Sequence, residues 1–171
     1  MKYVFLGDID SINVELIVNS HKFLKHKLKY IVICNKSDFN SYLNKIKSKV
    51  IINEIIDPIG FTNYKVNFIN IFDIKNKYKE KHKNLLNQIK LSNELCLTTG
   101  FDLVTMPVDK SIFKRKVYFN GMTEYLGKIN NKKTAMLMHG ENFSILPLTT
   151  HINLKNVHKM LGQNHLKRSP L

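Results

Sequence analysis

Four short stretches set polar side chains just beyond apolar runs: "GDIDSINVEL" from Gly7, "TMPVDK" from Thr105, "FNGMTEYL" from Phe119 and "TTHINL" from Thr149. In an open α/β sheet, ligands bind beyond the carboxyl ends of the strands. These stretches are therefore where chemistry would converge. His151, at the exit of an apolar run, has two readings: a neutral imidazole ligand for a metal, or a hydrogen-bonded surface histidine. A metal site needs three or more ligands, and His139, His158 and His165 share no obvious spacing with it. Asp8 and Glu15 are candidate acids, with the alternative that Asp8 satisfies loop amides. Neither Ser111 nor a cysteine sits in a convincing nucleophile setting. No GxGxxG or GxxxxGK[ST] occurs, and "GDIDSIN" is too poor in glycine to cradle a phosphate alone. "YFNGMTEYLG", Tyr118 to Gly127, reads as a loop that presents side chains. Its central Met122 can neither ionise nor donate a hydrogen bond.

The elements that position these loops alternate along the chain. "KYVFL" (2–6) and "KYIVIC" (29–34) are short apolar runs that predict strands. "KVIINEII" (49–56) is a third, broken by the turn Asp57-Pro58-Ile59-Gly60. "YKVNFINIF" (64–72) alternates and predicts a strand with one wet face. Helical spacing starts at Ile12, with Ser11 as its N-cap. It recurs over "KSDFNSYLNKIKS", with Phe39, Leu43 and Ile46 on one face and Ser37 as the cap. The clearest helix runs from about Lys79 to Cys96 through Leu85, Leu86, Ile89 and Leu95. "FDLVT" (101–105), "KTAMLM" (133–138) and "NFSILPLTT" (142–150) predict further strands, and "INLKNVHKML" (152–161) a final helix. Alternating strands and helices imply an α/β fold with a largely parallel sheet.

The 171 residues suit one α/β domain spanning residues 1–171. An apolar fraction of 43% fits a globular chain and not a disordered one. No run reaches the roughly 20 apolar residues of a membrane span. "MKYVFLGDID" meets acids too soon for a secretory signal, so the expectation is a cytoplasmic protein without a membrane partner. Cys34 and Cys96 read as buried thiols. The net charge of +14 raises nucleic acid as a partner. But the basic residues are nearly all lysine, with arginine only at 115 and 168, and they are scattered. That pattern reads as a solvated surface and not a nucleic-acid interface. The densest run, "DIKNKYKEKHKN", reads as the exposed start of a helix.

Taken together, the four loops resemble one family, 4-hydroxythreonine-4-phosphate dehydrogenase of vitamin B6 biosynthesis. "GDIDSINVEL" is similar to its GDPAGIGPE(I/L), "LVTMPVDKSIF" to its (V/I)TGPVHK, and "FNGMTEYL" to its F(T/P)GHTE(F/Y)L. "AMLMHGENFSILPLTTHINLKNV" resembles its MM(L)…LRVAL(A/V)TTHLPL(K/R)DV most strongly. The resemblance implies a three-layer αβα fold like the isocitrate and isopropylmalate dehydrogenases. It implies oxidation of 4-phosphooxy-threonine, a small phosphorylated amino acid, to 2-amino-3-oxo-4-phosphooxybutanoate. The implied cofactors are NAD and a divalent metal ion (Zn, Mg or Co), and the implied assembly is a homodimer. His151 falls on the first of the family's three metal histidines, Thr123 on the threonine of GHTE, Met122 on its histidine, and Lys110 on the lysine of PVHK. Asp109 replaces the histidine of PVHK, and Met106 replaces a glycine. The family runs to about twice this length, so the chain resembles its N-terminal half. A truncated, catalytically inactive remnant or interaction subunit is the alternative reading.

Overall fold

A computed structural model describes residues 1–113, 119, 121–149 and 152–161. Two compact units divide the chain, residues 1–122 and 123–171.

The first unit is a five-stranded, all-parallel sheet in the order β3-β4-β2-β1-β5. The strands are β1 (Lys2–Phe5), β2 (Tyr30–Cys34), β3 (Ile52–Ile55), β4 (Ile69–Asp73) and β5 (Asp102–Thr105). Helices α1 (Asn13–Leu24), α2 (Lys36–Lys45) and α3 (Lys81–Thr99) connect them. Side chains alternate across each strand, and this splits the core into two layers. Val4, Leu6, Val32, Cys34 and Ile71 pack with Val14 and Ile17 of α1 and Phe39 and Leu43 of α2. Tyr3, Ile31 and Ile33 pack with Leu91, Leu95 and Cys96 of α3. The expected three-layer αβα arrangement is therefore present. Parallel crossovers are right-handed. A chain moving from β1 to β2 and from β2 to β3 thus lays α1 and α2 on one face. The return from β4 to β5 lays α3 on the other.

Several local expectations change. Asn35, not Ser37, caps α2: its side chain accepts from the Asp38 amide at 2.9 Å. Ile12 stands at the cap position of α1 and makes no side-chain cap bond, while Ser11 Oγ accepts from the Asn13 amide at 3.2 Å. The stretch 64–72 turns through residue 68 and becomes strand only from Ile69. It has no wet face at Asn70, which is 1% exposed. β4 is an interior strand covered on both sides, and Asn70 survives there because all its polar atoms are paired. Its Oδ1 accepts from Asn53 Nδ2 at 2.8 Å and the Lys65 amide at 3.0 Å. Its Nδ2 donates to Lys65 O at 2.8 Å and Phe68 O at 3.0 Å.

In the second unit, the expected strands 133–138 and 142–150 shrink to an antiparallel pair. β6 is Met138–His139 and β7 is Ser144–Ile145. Both are exposed, and a lone two-stranded ribbon gains little burial. The expected helix 152–161 is a 3-10 turn, Leu154–Asn156, followed by the single turn α5, Val157–Met160. Its first apolar position, Leu154, is exposed. The stretch expected as a presenting loop at 118–127 instead starts helix α4, Met122–Ile129. Gly127 is buried in that helix, because a Cβ there would meet Thr134 Oγ1 at 2.9 Å and Lys132 O at 3.0 Å.

Candidate functional site

The carboxyl ends of β1 and β5 lie side by side, and their loops are clasped together. Gly7 takes φ +75°, and a Cβ on it would lie 2.4 Å from Pro107 O and 2.9 Å from Met106 O. Glycine is required here for both conformation and space. Asn13, fully buried at the start of α1, donates through Nδ2 to Leu6 O at 2.8 Å and to Pro107 O at 2.8 Å. The Asp8 amide donates to Pro107 O at 3.3 Å. The "GDIDSIN" and "TMPVDK" loops thus form one ledge.

Asp8 does satisfy a loop amide, that of Asp10 at 3.1 Å, and it also pairs with Lys81 Nζ at 2.6 Å. Lys81, the first residue of α3, pairs with Asp10 as well. Burial works against its charge, but the hydrogen bonds it donates to Asp10 and Asp8 win and hold its pKa above the ordinary lysine value. This triad ties α3 to the β1 loop from the opposite face of the sheet. Glu15 accepts from the Tyr42 hydroxyl at 3.1 Å, which joins α1 to α2. Asp109 accepts from the Ser111 amide at 2.8 Å and from Ser111 Oγ at 2.6 Å, so it caps the 3-10 turn that opens at Lys110.

A cleft of about 310 Å³ opens between the ends of β1, β2 and β4. Its apolar wall includes Leu6, Ile9, Cys34 and Leu85, and its rim carries Asp10, Asp38, Lys79 and Lys81. The strand after which the connecting helices change faces lies here: β2 leads to α2 and its neighbour β4 to α3. That is the switch point where open α/β sheets bind ligands. Burial pushes the Cys34 thiol well up, so it is a wall and not a nucleophile. Cys96 is pushed up to about 11 by burial, with the Asp102 charge adding to it.

The expected site residues fare unequally. Met122 is half-buried at the first position of α4, and Thr123 is half-buried beside it. His151, Thr150, Tyr118, Asn120, Arg115, His165 and Arg168 lie outside the described residues. Among the described residues, no group of three His, Cys, Asp or Glu side chains could hold a metal ion. The one ligand the resemblance offers for that metal, His151, is not among them. The implied dinucleotide fares no better at the β1 loop, where the space cleared by Gly7 is taken by Pro107 O and leaves no cradle for a pyrophosphate. The residues that pattern reading missed are Asn13, Lys81 and Gln88. Lys81 was hidden in a lysine-rich run. Gln88 had a signal: it is a polar residue one helical turn from Leu85 on a buried face.

Comparison with known proteins decides the family. The model of the pyridoxal phosphate biosynthetic protein PdxA family matches residues 11–169. The chain belongs to the PdxA family. Family relatives include 4-hydroxythreonine-4-phosphate dehydrogenase of Campylobacter fetus, 26% identical over 167 residues, which span 95% of this chain and 52% of that one. The Aquifex aeolicus protein of the same name is 26% identical over 178 residues, 90% of this chain and 50% of its own. The solved 4-hydroxythreonine-4-phosphate dehydrogenase of Klebsiella pneumoniae superposes with a TM-score of 0.84 at 19% identity, covering 98% of this chain and 56% of that one. That of Burkholderia phymatum gives 0.79 at 18% identity, covering 98% and 55%. This PdxA-family chain therefore spans about half the length of the curated relatives it matches. No helix among its described residues is long and apolar enough to cross a membrane.

Proposed function

We propose that this chain supplies the substrate-loop half of a unit that oxidises 4-phosphooxy-threonine to 2-amino-3-oxo-4-phosphooxybutanoate, a step in pyridoxal 5′-phosphate biosynthesis. The observation that carries the reading is the family match over residues 11–169. The proposed partners are that small phosphorylated substrate and a second copy of the chain, with NAD as hydride acceptor, a divalent metal ion and a cytoplasmic setting. NAD would accept the hydride and the metal would polarise the reacting oxygen when both are bound. What this chain's own residues contribute is positioning. Thr123, in the first turn of α4, offers a hydroxyl that can both donate to and accept from the substrate. The ledge made by Gly7, Asn13 and Pro107 fixes the two sheet-end loops without any ligand.

The test is NADH formation from 4-phosphooxy-threonine with added Zn, Mg or Co, with the chain alone and with the downstream half of the Campylobacter fetus relative added as a separate polypeptide. Turnover that is lost in His151→Ala supports the reading. No turnover under either condition favours the second reading, a catalytically inactive interaction subunit. Met122 is the specific observation behind that second reading. The resemblance puts it where the family carries a histidine, and a thioether cannot make an imidazole's hydrogen bonds.

A further inference from the structure

The two edges of the parallel sheet differ. At β3, the outward-facing Glu54 carbonyl accepts from Asn63 Nδ2 at 2.7 Å, and Asn53 Nδ2 donates to Asn63 O at 2.8 Å. The loop after β3 is therefore tied along that edge. Among the described residues, β5 pairs only with β1 and has no such cover. The Met106 amide donates to Phe5 O at 3.0 Å. Backbone groups alternate in direction along a strand. Val104 thus faces β1 as Met106 does, while the N–H and C=O groups of Leu103 and Thr105 face outward. Parallel strands are ordinarily buried on both faces, yet Val104 is 39% exposed, and Asp102 and Thr105 are exposed. The usual guards of a free edge are missing from β5. It carries no lysine and no proline, its register with β1 is unbroken, and its one charge, Asp102, is engaged by Lys2 Nζ at 2.6 Å. Beside the edge, Leu16, Leu24 and Leu28 form with Val104 and Met106 an apolar groove of about 160 Å³. Ile12 and Phe23 lie four and seven residues from Leu16, on the same side of α1, and both are exposed.

We propose that β5 pairs with β5 of a second copy of this chain, antiparallel about a two-fold axis, to make one continuous sheet. A two-fold contact needs a self-complementary patch, and this edge is one. With Val104 of one copy opposite Val104 of the other, Leu103 of each falls opposite Thr105 of the other. Those are the residues whose backbone groups face outward. In an antiparallel ladder each such pair exchanges both of its N–H···O bonds. This register therefore satisfies every outward backbone group of Leu103 and Thr105. A two-fold axis through the sheet keeps both α1 helices on one face, so the strip of Ile12, Leu16 and Phe23 meets its own copy. Because Asn63 occupies the β3 edge, the sheet grows only at β5, and the assembly closes at two copies instead of extending. The net charge of +14 on each copy opposes the contact, but at physiological salt charges are screened beyond about 8 Å. The proposal takes up the second copy of the reading above and needs no substrate, cofactor or metal.

Light scattering coupled to gel filtration of the full chain, at about 0.15 M salt, tests this. The expected mass is twice that of the 20.0 kDa chain. Thr105→Pro removes an outward N–H and no bond to β1, and proline is tolerated on an edge strand. It should give the monomer mass at unchanged circular dichroism. Val104→Lys sets two like charges opposite each other at the axis and should do the same. It keeps the test decisive should the proline variant fail to fold. Loss of the dimer in both variants supports the contact even where no NADH forms. A monomeric wild-type chain would overturn it. So would a dimer that persists in both variants, a result that leaves the second copy of the reading above to another surface. A ladder of larger species would overturn the closed pairing, since β3 would then be pairing too. A monomer that binds the downstream half of the Campylobacter fetus relative, and loses it in Thr105→Pro, would give the edge to that half and overturn the second copy as its occupant.

Discussion

Asn13 Nδ2 donates to Pro107 O at 2.8 Å, a bond between residues 94 positions apart. It joins the loop after the interior strand β1 to the loop after the edge strand β5. The same carbonyl accepts from the Asp8 amide and sits where a Gly7 side chain would be. One proline oxygen thus sets the geometry of both loops.

Gly7→Ala should therefore be far more damaging than Gly100→Ala. Both glycines have positive φ, +75° and +71°. At Gly100, the C-cap of α3, nothing lies within 4 Å, so the left-handed conformation alone is penalised, at about 1–2 kcal/mol. At Gly7 the Cβ also strikes backbone oxygens that cannot move without opening the β1–β5 ledge. Urea denaturation of the two variants should show Gly7→Ala losing more than the roughly 2 kcal/mol upper figure for Gly100→Ala. Equal losses would mean that the clasp yields freely.

Asn70→Leu should cost at least about 1–3 kcal/mol, the range for leaving a buried polar group unpaired. The change strands the Lys65 amide and the Phe68 carbonyl and takes one of two partners from the Lys65 carbonyl and from Asn53 Nδ2. Thermal melts check this. A neutral result would show that the turn at 64–68 finds water instead.

His21 predicts an acid sensitivity. It is 5% exposed, and its Nδ1 lies 2.8 Å from the Tyr30 hydroxyl. Burial lowers its pKa below the ordinary 6.5. The unfolded chain then binds more protons than the folded one once pH drops below that value. Stability is complete above about pH 6.5 and is lost as pH falls through the folded pKa. His21→Phe should flatten the dependence of melting temperature on pH in this window, whatever it does to stability at neutral pH. An unchanged slope would remove His21 as the cause.

Met122→His tests the proposed substrate role of position 122. With the histidine restored, 4-phosphooxy-threonine should bind about tenfold tighter, the worth of one good hydrogen bond to a charged group. Calorimetry of the two chains reads it out. If affinity does not change, position 122 is not what limits substrate binding in this chain.

Much of the architecture was legible because it is set locally. The β-branched runs at 29–34 and 49–56 and the periodic stretch after Lys79 each declare their element within one window. The misses share a cause. Alternation in 64–72 suggested a half-wet strand, yet placement of β4 between β3 and β2 buried Asn70. Apolar residues in 133–150 suggested two strands, yet only two residues of each pair. "YFNGMTEYLG" looked like a loop because of its glycines, yet Gly127 lies inside α4, where a small residue lets Thr134 and Lys132 approach.

The sequence by itself determined the alternating α/β pattern, the strand-end loops and, through the order of four motifs, the PdxA family. Those signals depend on periodicity and short-range order, which a linear reading contains. Only the tertiary structure decided that Pro107 closes over Gly7 and that Lys81 joins Asp8. Each is a meeting of residues brought together by crossovers to opposite faces of a sheet. Which side chains meet there is fixed by strand order and not by spacing along the chain.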